Sequence, residues 1–171
     1  MDRGKHLLTQ FNFPGIAPEV LESDNYEDTY SGENVLREER EGEGNYWLAD
    51  NIKEKPSLTL DLHQYKYVTG FRIKNTKNGE KKDRGTKEFT IFGDGQTLTS
   101  DTLNDITKVD GEAELEHFSV DPPKLVRIIK FQIDSFYGDG GGLQYFSVEG
   151  DTSKSLLVNP IYLLTHYSFH K

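Results

Sequence analysis

Apolar residues recur at every second position in several stretches of the chain, the period that a half-buried strand imposes. Leu58, Leu60 and Leu62 alternate with Thr59 and Asp61 over Ser57 to His63, and Phe71 and Ile73 continue the pattern over Tyr67 to Asn75. Phe89 and Ile91 mark Lys87 to Gly93, ahead of a Gly93-Asp94-Gly95 turn. Phe118 and Val120 mark Leu115 to Val120, a run that Pro122 and Pro123 are expected to stop. Val126 to Asp134 sets Ile129, Phe131 and Ile133 against Ile128, Lys130 and Gln132, and a last strand covers Leu143 to Glu149. Between those two stand Gly138, Gly140, Gly141 and Gly142, which only a sharp loop at a sheet end can use. A phosphate-cradling loop would need a helix straight after the glycines, and a strand follows instead.

Between Tyr46 and Gly150 there is no helical period, no βαβ spacing and no repeat of fixed length. Short strands joined by polar turns predict an all-β fold, an antiparallel β-sandwich or jelly roll. The 171 residues suit one domain, placed at 1–150, with residues 1–20 as an irregular segment laid over it because Pro14 and Pro18 interrupt Phe11, Phe13, Ile16 and Val20. Residues 22–43 are acidic and broken by Gly32, Gly42 and Gly44, so they read as a long polar loop or a pair of turns. Either a solvated acidic surface or a calcium loop fits. An EF-hand counted from Asp24 fails, since Thr29 and Val35 stand where glycine and glutamate are required. Residues 151–171 form an apolar tail, with Leu156, Leu157, Val158, Ile161, Tyr162, Leu163, Leu164, Tyr167 and Phe169. Pro160 forbids one continuous helix, so residues 156–169 either pack back on the sandwich or dock on another chain.

A formal charge of -9 argues against nucleic acid or an anionic membrane as the main partner. No stretch approaches the roughly 18 apolar residues of a membrane span, so no membrane insertion is expected. Cysteine is absent, which removes disulfides, thiolate metal sites and a thiol nucleophile. With no Asn-x-Ser/Thr acceptor and no signal-like N-terminus, the balance leans to an intracellular chain, although a leader cleaved from the chain would leave the same sequence. His6, His63 and His117 are scattered, His166 and His170 stand four apart but with Tyr167 where an H-E-x-x-H pair needs glutamate, and there is no Gly-x-Ser-x-Gly elbow, so no enzyme is expected.

The ordered series Asn34-Val35-Leu36, Asn45-Tyr46-Trp47-Leu48-Ala49, Leu58-Thr59-Leu60-Asp61-Leu62, Val68-Thr69-Gly70-Phe71, Asp83-Arg84-Gly85-Thr86-Lys87-Glu88-Phe89 and Gly141-Gly142-Leu143-Gln144-Tyr145-Phe146 resembles the coagulation factor 5/8 type C, or discoidin, domain over roughly residues 20 to 150. The resemblance implies a galactose-binding-like sandwich without catalysis, whose end loops bind glycans, lipids or proteins, often with a structural calcium near the first loops. Such a calcium would fall to the Leu36 carbonyl with Glu38 and Glu39. The chain lacks the disulfide of extracellular members, which makes intracellular adaptors of ciliary transport and ubiquitin-ligase assemblies the alternative to a lectin-like module.

Sugar recognition needs a flat apolar face and a few fixed polar groups. Three loops supply both: Tyr46 with Asp50 and Asn51; Asn78 with Asp83 and Arg84; Tyr137 with Asp139 and Gln144. Tyr137 beside the glycines is the foremost contact. Trp47 reads as a core anchor, and Arg84 as either a binding fork or a turn-locking salt bridge. Lys74, Lys77, Lys81, Lys82, Arg84 and Lys87 make one basic patch, which is either solvated or steers an acidic partner surface.

Overall fold

The computed structural model describes residues 16–37 and 45–151, so Glu38, Glu39 and the tail segment 156–169 lie outside the described residues. Two strands of 19 residues, β3 (Ser57–Asn75) and β7 (Leu115–Ile133), run antiparallel along their whole lengths. Neither runs straight. Residues 62–65 of β3 stand opposite Arg127 alone, and residues 120–123 of β7 stand opposite Thr69 alone, so the two insertions cancel and the register returns. At the first insertion His63 takes φ 63, and its amide donates to Asp61 Oδ1 at 2.7 Å. Arg127 grips the same carboxylate through two bonds of 2.9 and 2.8 Å and so holds its pKa down to about 2.

The insertions divide both long strands between two layers. The first half of β3 pairs with β1 (Glu19–Ser23), and the second half of β7 pairs with β5 (Glu88–Gly93), which carries β6 (Gln96–Thr102). The second half of β3 pairs with β9 (Gly142–Asp151), whose start carries the short β2 (Trp47–Leu48). Aromatic side chains join the layers: Phe89 meets Phe118 edge-on at 5.0 Å, and Phe131 meets Phe146 at 5.5 Å. The alternating Leu58, Leu60, Phe71, Ile73, Ile91, Ile129 and Ile133 are all buried in this seam, each contributing about 1.5–3 kcal/mol of transfer free energy. The fold is an antiparallel β-sandwich. Trp47 is fully buried, as a core anchor should be, and its indole N–H donates to the Asp24 carbonyl at 3.2 Å.

Several expectations need correction. Pro122 and Pro123 do not stop β7, because they fall in the stretch that makes no ladder bonds with β3 and so remove none. His63 to Tyr67 is a bend within one strand rather than a link between two. Glu19 and Val20 belong to β1, not to an irregular segment. Within the acidic stretch, 3-10 turns form at Asp28–Tyr30 and Gly32–Leu36, and the second buries Val35 completely while setting Leu36 against the core. That part of the stretch is therefore anchored.

Candidate functional site

A miniature sheet frames one end of the sandwich, where β4 (Arg84–Thr86) pairs with β8 (Phe136–Gly138). It is tied to the body by buried polar side chains. Asn75 donates to the carbonyls of Thr86 and Asn104 at 2.8 and 3.1 Å, and its Oδ1 accepts from the amides of Thr76 and Thr86 at 3.0 Å each. Thr86 Oγ1 donates to the Gly142 carbonyl at 2.8 Å and accepts from the Gly142 amide at 3.2 Å. Three loops are thereby fixed side by side. Asn51 Nδ2 donates to the Asp139 carbonyl at 3.1 Å, and the Gly85 amide donates to the Gly140 carbonyl at 2.9 Å. The structure therefore brings Asn51, Arg84 and Asp139 together around Gly140, while the Asp50 carboxylate is taken up locally by the Ile52 amide at 3.0 Å.

Beside this crest lies a cleft of about 770 Å³. Tyr46, Ile106 and Ala113 give it apolar walls, and Thr76, Lys77, Glu80 and Gln144 give it polar ones. The Tyr46 ring stacks on Tyr30 at 5.5 Å, and its hydroxyl donates to Asn78 Oδ1 at 3.0 Å. Asn78, buried and left-handed at φ 62, passes the chain on by donating to Asp83 Oδ1 at 2.7 Å. Tyr46, Asn78 and Asp83 thus brace the back of the cleft. Gln144 is half-buried and makes no hydrogen bond among the described residues, which leaves its amide to offer a donor and an acceptor.

The outer wall is the segment 109–113, held across the cleft by lysines. Lys77 Nζ donates to the carbonyls of Val109, Asp110 and Gly111 at 3.2, 3.2 and 2.6 Å. Lys82 pairs with Asp110, and Lys74 with Glu112 at 2.8 Å; these hydrogen bonds hold both carboxyl groups below their ordinary pKa.

Three sequence expectations meet a different arrangement. Tyr137 spends its hydroxyl on the Leu103 carbonyl at 3.0 Å, and burial pushes its phenol up, so it pins the 103–114 loop. Arg84 is 5% exposed and makes no ion pair among the described residues, which rules out a salt bridge there. Its guanidinium lies 4.0 Å from the centre of the Tyr26 ring, with one long bond of 3.4 Å to the Ala49 carbonyl. Of the basic patch, Lys74, Lys77 and Lys82 are engaged by the chain's own 109–113 segment. Ile106 and Ala113 escaped the sequence reading, since 103–114 carries no period, and Tyr26 escaped it inside an acidic stretch that reads as a polar loop. The complementary charges of Lys74, Lys77 and Lys82 against Asp110 and Glu112 were the signal that could have found this loop. Among the described residues no three His, Asp or Glu side chains gather as a metal site, and of the expected calcium set only Leu36 is described. No helix among the described residues is long and apolar enough to cross a membrane.

No protein-family model matches the chain, and no curated protein matches it. Solved structures do. The family 32 carbohydrate-binding module of Streptococcus pneumoniae EndoD superposes with a TM-score of 0.59 at 13% identity, covering 80% of this chain and 98% of its own. That of Clostridium perfringens NanJ, in complex with galactose, gives 0.62 at 13% identity, covering 77% and 93%. A Streptococcus pneumoniae fucose-binding module gives 0.56 at 9%, covering 80% and 96%. The likeness is one of fold. It agrees with the antiparallel β-sandwich expected from the alternating strands, built here from β3, β7 and their neighbours.

Proposed function

We propose that the chain is a non-catalytic carbohydrate-binding module that holds a saccharide in the cleft between Tyr46, Ile106 and Gln144. The observation that carries this reading is the unengaged Gln144 amide, set half-buried in a cleft whose Tyr46 wall is fixed by hydrogen bonds from Tyr46 to Asn78 and on to Asp83. Such a place suits a pyranose, with apolar surface for its C–H face and an unengaged amide for its hydroxyls. The fold shared with modules whose structures hold galactose or bind fucose supports the same reading. Titration of labelled protein with galactose and fucose, followed by amide resonances, tests it. Shifts at Tyr46, Thr76 and Gln144 are expected, and Gln144→Ala weakens binding about five- to tenfold, one hydrogen bond's worth, without lowering the melting temperature. A panel of sugars that moves no cleft resonance refutes it.

A further inference from the structure

On the footing that the cleft is the saccharide site, we infer that it takes uncharged saccharides, and that Lys74, Lys77 and Lys82 serve it as positioning residues that clasp segment 109–113 as its outer wall. The loop that carries this wall has two unlike halves. Its base is fastened in the fold, with Leu103 and Ile106 buried and Leu103 tied to Tyr137 and to Lys87. Beyond Ile106 little that is apolar holds it: the Asp110 and Glu112 side chains are 99% and 66% exposed, Val109 is exposed as well, and within 109–113 only Ala113 is half-buried. What keeps 109–113 against the body is cationic. Lysine has three protons to donate, and Lys77 directs all three at consecutive carbonyls of this segment.

The same contacts fix the ligand class. The two lysines lining the cleft are already engaged, Lys77 by carbonyls and Lys82 by Asp110, so a carboxylated or sulfated sugar finds no free cation there. It would instead approach Glu80, which makes no ion pair among the described residues, on a chain of charge -9. An uncharged sugar escapes that cost. Its binding nevertheless depends on salt, because screening loosens the clasp and lowers the fraction of molecules whose wall is in place.

The test uses methyl β-galactoside and N-acetylneuraminic acid as probes, titrated calorimetrically at low salt and at about 0.5 M NaCl, where screening acts within a few ångströms. The galactoside is expected to bind about three- to tenfold more weakly at high salt, as the loss of several exposed ion pairs allows, and the acidic sugar not to bind. Lys74→Met, at a residue that does not line the cleft, is expected to weaken the galactoside about two- to fivefold at low salt and to flatten the salt response. Hydrogen exchange supplies a readout that needs no sugar. In Lys77→Met the amide of Val109, which donates to the Ile106 carbonyl at 3.1 Å, should exchange faster while those of β3 and β9 keep their protection. Galactoside affinity indifferent to salt and to Lys74→Met, equal affinity for the acidic sugar, or unchanged exchange at Val109 each overturns the inference. If neither sugar binds while exchange at Val109 does respond, the clasp stands and the ligand assignment falls together with the saccharide reading.

Discussion

Three glycine-to-alanine substitutions separate the two forces that shape the glycine cluster. At Gly138 the backbone is left-handed, φ +70, and an added methyl would overlap the Asp83 carbonyl oxygen, with the carbonyl carbon 2.8 Å away. Gly95 is left-handed too, φ +82, but a methyl there meets nothing within 4 Å. Gly142 has an ordinary φ, and its methyl would overlap the Trp47 carbonyl oxygen. Left-handed backbone costs an alanine roughly 1–2 kcal/mol, and overpacking against backbone about 1–3. Gly95→Ala should therefore lose roughly 1 kcal/mol, after a small gain from the stiffer unfolded chain, and Gly142→Ala about 1–3. Gly138→Ala carries both penalties and should lose about 2–4 kcal/mol, which for a chain of this size lowers the melting temperature by roughly 5–15 °C. Thermal melts and urea titrations of the three variants measure the differences. If Gly138→Ala melts within about 2 °C of Gly95→Ala, the β8 backbone is free to shift away from Asp83, and the miniature sheet is not the rigid frame described here.

Two further outcomes follow from the polar contacts. Arg127 lowers the folded pKa of Asp61, so its stabilisation is complete above the ordinary carboxyl range and is lost as pH falls toward about 2; Arg127→Met should flatten the dependence of the urea midpoint on acid pH between pH 5 and 2, in steps of about one pH unit. Asn75→Ala strips four hydrogen bonds, three of them buried, and should cost about 2–4 kcal/mol in urea unfolding, with a loss below about 1 kcal/mol showing that water replaces them.

The alternation of Leu58, Leu60 and Leu62, of Phe71 and Ile73, and of Ile129, Phe131 and Ile133 made the sandwich legible, because burial on one face writes itself at period two. The length of β3 and β7 was not legible. His63 and the two prolines look like ends to any local reading, and only the pairing of residues some 60 apart shows that one insertion cancels the other. Asn51, Arg84 and Asp139 were picked as polar groups on three separate loops, and the structure does gather them. The role of Tyr137 was hidden for a different reason. Whether a tyrosine hydroxyl faces solvent or a carbonyl depends on Leu103, which has no pattern to announce it. The lysine clasp likewise joins residues more than 25 positions apart, and charge carries no period.

Because β3 and β7 each pass through both layers, neither sheet can come apart while the other stays whole. Unfolding should be a single event, and folding slow, since the pairing that creates the fold closes a large loop before any of it is rewarded. The platform beneath the end loops has no hinge of its own. Whatever moves when a partner arrives must move above it, in the connecting segments, and the energy of that motion is confined to the contacts those segments make.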